Sequence, residues 1–202
     1  MTAPIDEGYV KYESDWIEGA APDESIVAEL DRWRTPLFEA GLIGHDDTHD
    51  VGFGNLSVRA GGEEFVISGT QTGHLEATGP EHYCRVTAVE TDANRVHCTG
   101  PIQASSESLT HAALYALDEG INAVVHVHSP ALWERCRGNL PTTNPDVSYG
   151  TPEMAHEFER LWRETDFPNC RLAVMAGHAD GLVSVGTSLE QATEAMLALY
   201  RS

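Results

Sequence analysis

The run Asn122-Ala-Val-Val-His-Val-His-Ser-Pro130 constrains the fold more than any other stretch of the chain. Its apolar, β-branched residues read as a buried β-strand. Side chains at i and i+2 of a strand point to the same face, so His126 and His128 lean the same way. Ser129-Pro130 then reads as an N-cap followed by a proline at the first helical position. The two imidazoles therefore sit at the carboxyl end of a strand beside a helix start, where open α/β sheets place their ligands. A convergent pair suits a first-row metal such as Zn²⁺. The competing reading is a pair of hydrogen-bonded core histidines.

A strand buried on both faces needs cover on both, and the rest of the chain supplies it. Residues 1–21 are expected to form an irregular N-terminal arm, with Tyr9, Tyr12 and Trp16 docking on the body or on a partner subunit, and residues 22–202 the folded domain. Asp23 caps a helix to about Ala40, whose Ile26, Leu30, Trp33, Leu37 and Phe38 recur at helical spacing. Gly52–Ser57 reads as a tight turn into a strand at Leu56–Arg59. Further strands are expected at Glu64–Ser68, Tyr83–Glu90, Arg95–Cys98, Arg171–Ala176 and Gly181–Val185. Helices are expected from Ser105 to Leu117, from Ser129 to about Arg137, from Pro152 to about Glu164 and from Leu189 to Tyr200. Helices alternate with strands, yet several strands join through short loops. The prediction is α/β: a single-domain α/β/α sandwich with a mixed, largely antiparallel central sheet, and not a doubly wound nucleotide fold.

Charge narrows the function classes. With 32 acidic against 12 basic residues the formal net charge is -20, and Lys11 is the sole lysine. Such a surface repels nucleic acid and anionic membranes. The acids are spread along the chain, which fits adaptation to high salt, where repulsion is screened. No apolar stretch approaches the roughly 20 residues of a membrane span. Without a signal-like N-terminus, and with four cysteines in no C-x-x-C spacing, a cytoplasmic protein with reduced thiols is expected. Aldol chemistry through a Schiff base needs a lysine amine. Only Lys11, in a polar N-terminal stretch, offers one, so a metal-dependent route is favoured.

A metal pair needs a third ligand. His178 is the best candidate, following the apolar strand Leu172–Ala176 in a glycine-bounded turn that can deliver a side chain to a cleft edge. Three histidines leave a coordination position open, the mark of a catalytic metal. The remaining histidines fit no ligand motif, although His45, Asp46, Asp47, His49 and Asp50 form a group able to bind a stray surface metal.

From about residue 25 to 200 the chain resembles the class II aldolase/adducin family. The resemblance rests on Gly54-Asn55-Leu56-Ser57, the Ser68–Gly73 loop, Ser105-Ser106-Glu107 with His111 four residues on, His126-x-His128, Tyr149-Gly150-Thr151, and His178 before Gly181-Leu-Val. It implies that His126, His128 and His178 bind zinc, or another divalent first-row metal, and that Glu107 is the general acid/base. Asn55, Ser68, Thr70, Thr72, Gly73, Ser105 and Ser106 match positions that cradle a sugar phosphate. Glu107 lies at a helix start, where the macrodipole favours a carboxylate by about 0.3–1 kcal/mol, and the Ser105–Ser106 N–H groups are ready anion donors. His111, one turn into the helix, is expected to pack or to support the site. Two residues, Ala179 and Asp180, separate His178 from the glycine that directly follows the third ligand in the family, which makes Asp180 a candidate ligand or supporting partner.

The activity implied is zinc-dependent aldol cleavage of a ketose or ketose phosphate through a metal-stabilised enediolate, with Tyr149 or Tyr200 acting on the other fragment. The alternatives are a sugar-phosphate dehydratase or epimerase on the same scaffold, or a non-catalytic assembly module like the adducin head. A homo-oligomer, a tetramer by resemblance, is also implied.

Overall fold

The computed structural model describes residues 8–48 and 50–202. His49, expected in a surface group, and the first seven residues of the arm lie outside them. The chain runs β1 (Glu13–Glu18), α1 (Glu24–Glu39), β2 (Gly44–Asp46), β3 (Val51–Phe53), β4 (Asn55–Gly61), β5 (Glu64–Ser68), β6 (Tyr83–Glu90), β7 (Arg95–Gly100), α2 (Ser108–Leu117), β8 (Ala123–His128), α3 (Pro130–Cys136), α4 (Pro152–Glu164), α5 (Phe167–Cys170), β9 (Leu172–Val174), β10 (Gly181–Gly186) and α6 (Leu189–Arg201).

Eight strands form one sheet in the order β1-β7-β6-β5-β4-β8-β10-β9. Every pairing is antiparallel except β1 on β7. The mixed, largely antiparallel α/β architecture is as predicted. The histidine strand β8 is central, between β4 and β10, and all six of its residues are buried. Alternation along it divides the core. Val124 belongs to a cluster with Leu109, Leu114, Met154 and Phe158 of α2 and α4. Val125 and Val127 pack with Leu30, Leu37, Met196 and Leu197 of α1 and α6 on the other face. Burying a side chain of this size contributes roughly 1.5–3 kcal/mol, so each face of the strand pins the register that aims the histidines. No helix among the described residues is long and apolar enough to cross a membrane.

Three local readings differ from the sequence expectation. Within the arm, Glu13–Glu18 forms edge strand β1, in parallel register with Arg95–Gly100. Its side chains are mostly exposed on both faces, so no alternating pattern marked it. Tyr12 docks on the body, its hydroxyl donating to the carbonyls of Ser105 (2.8 Å) and Ala104 (3.2 Å). Gly52-Phe53 belongs to a small hairpin of β2 and β3 rather than to a turn; the turn follows at Gly54, where φ is 78°. In α1 the inward stripe is Val27, Leu30, Arg34 and Leu37, rotated from the apolar positions Ile26 and Trp33. Arg34 is 1% exposed, and its Nη2 donates to the carbonyls of Thr72, Gly73 and Leu75. A hydrophobicity pattern misses that buried guanidinium because its partners are backbone carbonyls of a distant loop.

Candidate active site

His126 and His128 emerge from the same face of β8, and the turn between β9 and β10 brings His178 to them. Their ligating nitrogens lie within 4.8 Å of one another. His126 Nε2 is 3.0 Å from His128 Nε2. His126 Nδ1 is 3.1 Å from the Leu182 carbonyl, which can only accept. The proton therefore sits on Nδ1, and the Nε2 lone pair faces the cluster. All three rings are buried. Burial pushes the His126 pKa down to about 4 and those of His128 and His178 well below the ordinary value, with the neighbouring imidazoles adding to the effect on the latter two. Neutral imidazoles are the ligating form. Three neutral nitrogens converging in a buried site fit a divalent first-row metal, and among the described residues no other group of three or more His, Cys, Asp or Glu does so.

The turn carrying His178 needs its glycines. A Cβ on Gly177 would stand 1.9 Å from the Val147 carbonyl oxygen, and one on Gly181 would stand 2.7 Å from His178 Cδ2 and 3.2 Å from His126 Cε1. The two extra residues are absorbed by Asp180, whose φ of 66° closes the turn while its carbonyl accepts from Ser129 N at 2.9 Å. Asp180 lines the cavity and is not among the grouped ligands.

Glu107 sits at the N-cap of α2, 2% exposed, with Oε1 3.5 Å from His178 Nε2. Neither carboxyl oxygen has a hydrogen-bond partner of ordinary geometry among the described residues. Burial pushes its pKa up to about 7, opposed in part by the Thr110 hydroxyl and the Lys11 ammonium. Such a carboxyl exchanges a proton near neutrality.

The remaining predicted positions divide. Asn55 pairs with His126 in register across β4 and β8, and its buried Oδ1 has no hydrogen-bond partner among the described residues. Ser68 Oγ accepts from Leu56 N and donates to Leu56 O. Thr72 Oγ1 donates to the Gly69 carbonyl, and Ser105 Oγ accepts from Glu107 N. Those three hydroxyls hold the loops rather than a free cradle. Ser106 is buried beside Glu107, and Gly73 is packed against the Gly44 and Phe53 backbone. Thr70 N bonds the Gln103 carbonyl. None of the seven lines the cavity at the histidines. His111 is buried, with its Nδ1 2.7 Å from Ser57 Oγ, itself 2.7 Å from the Tyr115 hydroxyl.

That cavity, of about 900 Å³, is bounded by His128 and His178 and by Tyr149, Tyr200, Phe53 and the β2–β3 hairpin. Tyr149 is 1% exposed, with its ring 4.2 Å from that of His178. Sequence reasoning missed the hairpin and Lys11, whose ammonium lies 3.7 Å over the Tyr149 ring. The lysine set aside for its polar N-terminal setting is folded onto the site.

Comparison with known proteins agrees with this geometry. Residues 39–202 match the model of the class II aldolase and adducin N-terminal domain. Among solved structures, the chain is similar to L-fuculose-1-phosphate aldolase from Thermus thermophilus, with 25% identity, a TM-score of 0.63 and coverage of 88% of this chain and 90% of that one. It shares its fold with YgbL from Escherichia coli, a putative aldolase/epimerase/decarboxylase, at 23% identity and a TM-score of 0.64 over 88% and 86% of the chains. The sugar-phosphate aldolase from Thermotoga maritima has the same fold at 15% identity and a TM-score of 0.65 over 88% and 91%. A comparison with curated proteins returns no match.

Proposed function

Because the chain belongs to the class II aldolase and adducin N-terminal domain family, we propose that it is a metal-dependent aldehyde-lyase that cleaves a ketose or ketose phosphate by retro-aldol chemistry. The observation that carries this reading is the convergence of three neutral, buried imidazoles beside a buried carboxyl. His126, His128 and His178 are assigned as the ligands of zinc or a similar divalent ion. Bound there, the ion supplies Lewis-acid polarisation of a carbonyl oxygen.

The residues of the chain do the rest. Glu107 moves the proton at the carbon next to the substrate carbonyl, a task suited to a group titrating near 7. The Leu182 carbonyl fixes the His126 tautomer, and the Ser57–His111–Tyr115 network braces the strand behind it. Of the two tyrosines, Tyr149 has its hydroxyl tied to the Tyr9 backbone, whereas Tyr200 is 44% exposed at the cavity wall. Tyr200 is therefore the better placed to hydrogen-bond the departing fragment. Asn55, whose buried Oδ1 has no hydrogen-bond partner among the described residues and which pairs with His126 in register, is the candidate for a polar contact beside the cluster. A dehydratase or epimerase would use the same groups, and the intact histidine cluster argues against a purely structural module. Assembly as a tetramer is part of the proposal.

Zinc-loaded protein assayed in high salt against ketose 1-phosphates and the corresponding free ketoses tests the reading. Cleavage to an aldehyde supports it; protein with no zinc affinity overturns it. Glu107→Gln should keep zinc and lower turnover by roughly 10²–10⁴.

A further inference from the structure

We propose that this site selects an unphosphorylated substrate, an uncharged polyhydroxy ketone whose hydroxyls meet an acidic cavity wall, in preference to the corresponding phosphate ester. The inference rests on the lyase reading and deepens it by naming the substrate class.

The charge lining the cavity carries the argument. Outside the histidine cluster and the two tyrosines, its ionisable lining is His45, Asp46, Asp47 and Asp180. All 12 lysines and arginines of the chain lie among the described residues, and none of them lines it. His45, the lining group outside the cluster that can turn cationic, already faces Asp47 at 2.9 Å and Asp50 at 3.3 Å. A phosphate ester carries a charge of about -1.5 to -2 near pH 7, and its ionised oxygens only accept hydrogen bonds. Beside these carboxylates it meets like charge and no cation. A hydroxyl meets acceptors instead, and a hydrogen bond to a carboxylate is of the stronger, charge-assisted kind. The remaining wall, with Phe53, Leu42 and Pro130, offers apolar surface to the carbon skeleton of an uncharged polyol.

The loops expected to seat a phosphate are otherwise engaged. The hydroxyls of Ser68, Thr72 and Ser105 bond within the chain. The N-terminal arm is tied to both loops: Gln71 Nε2 donates to the Gly8 carbonyl at 3.1 Å, and the Tyr12 hydroxyl donates to the Ser105 carbonyl at 2.8 Å. Arg34 is buried with Nη2 on the carbonyls of Thr72, Gly73 and Leu75, and the Lys11 ammonium lies over the Tyr149 ring. Asn55, paired with His126 across the strands, presents a buried Oδ1 without a hydrogen-bond partner among the described residues. That acceptor is satisfied by a substrate hydroxyl and not by an ionised phosphate oxygen.

Dihydroxyacetone and dihydroxyacetone phosphate differ only by the phosphoryl group, which makes them the probes. Zinc-loaded protein is titrated with each by calorimetry in about 0.1 M salt, and again in about 1 M salt, where repulsion is screened. The free ketone should bind at least about tenfold more tightly at the lower salt, and the gap should narrow at the higher. The double variant Asp46→Asn, Asp180→Asn removes two charges, keeps both side-chain carbonyl oxygens, and places at 180 a residue that tolerates the φ of 66° there. In it the phosphate ester should bind about threefold or more tighter than to wild type, with dihydroxyacetone changed by less than about twofold. Equal or tighter binding of the ester by wild-type protein, binding of neither probe, or a ratio unmoved in the double variant overturns the proposal. Zinc content is measured separately. Protein without zinc affinity refutes the lyase reading, whereas retained zinc with a preference for the ester refutes this proposal alone.

Discussion

Removing metal from the histidine cluster should make the fold acid-sensitive with a slope that the structure sets. His111, His126, His128 and His178 are all buried with pKa values pushed down by burial, His126 to about 4 from 6.5. Below pH 6.5 the unfolded chain takes up a proton at each while the fold does not, so stability falls as pH falls. For His126 alone the gap between 6.5 and about 4 amounts to about 3.4 kcal/mol once pH passes below 4. Glu107 works the other way. Its folded pKa of about 7 exceeds the ordinary 4.5, so between those values the fold holds a proton that the unfolded chain lacks. Four histidines less one carboxyl leave a difference of about three protons near pH 5.5, or about 4 kcal/mol per pH unit. That is a large fraction of the 5–15 kcal/mol typical of a domain. Urea midpoints of chelator-treated protein, followed by tryptophan fluorescence from pH 7 to 5, should fall steeply in a window where surface carboxylates stay ionised. In His128→Asn the slope should drop by about 1.4 kcal/mol per pH unit. A flat profile in the wild type, or equal slopes in the two proteins, would refute the reasoning.

Other perturbations separate the site from its scaffold. Gly181→Ala forces its Cβ against His178 Cδ2 at 2.7 Å; zinc affinity should fall roughly 10–100-fold, the range for disturbed ligand support, while the circular dichroism spectrum is retained. Arg34→Met leaves the carbonyls of Thr72, Gly73 and Leu75 without their buried donor, which should lower stability by about 2–4 kcal/mol in urea titration. With a net charge of -20, raising salt from about 0.1 M to about 1 M shortens the Debye length from about 10 Å to about 3 Å, and the thermal midpoint should rise. No rise would remove the case for salt adaptation.

The central part of the fold was legible because burial writes itself into sequence. β8 is buried on both faces, Ser129 caps its helix as expected, and His126 and His128 share a face by strand period alone. His178 needed family order as well as local pattern, since a histidine in a glycine turn is common. What was hidden lay in long-range backbone pairing. β1 has few buried side chains and is held by hydrogen bonds to β7. Arg34 breaks the apolar stripe because its partners are 38 to 41 residues away. Lys11 reaches the site through its own contacts with residue 94 and residue 149 and through its neighbour Tyr12, which bonds residue 105, none of which a local window contains.

Glu107 shows why placement on an element does not fix electrostatics. At a helix start the dipole favours the carboxylate by about 0.3–1 kcal/mol. Burial moves the group from 4.5 to about 7, about 3.4 kcal/mol toward the protonated form, and so wins severalfold. The Tyr12 hydroxyl bonds the Ser105 carbonyl two residues earlier, close to this N-cap. The outcome is a carboxyl that is neither fixed in charge nor fixed in neutrality at pH 7. A proton-transfer group beside a metal-competent cluster requires that state, and it arises from the burial of the carboxyl rather than from its place at a helix start.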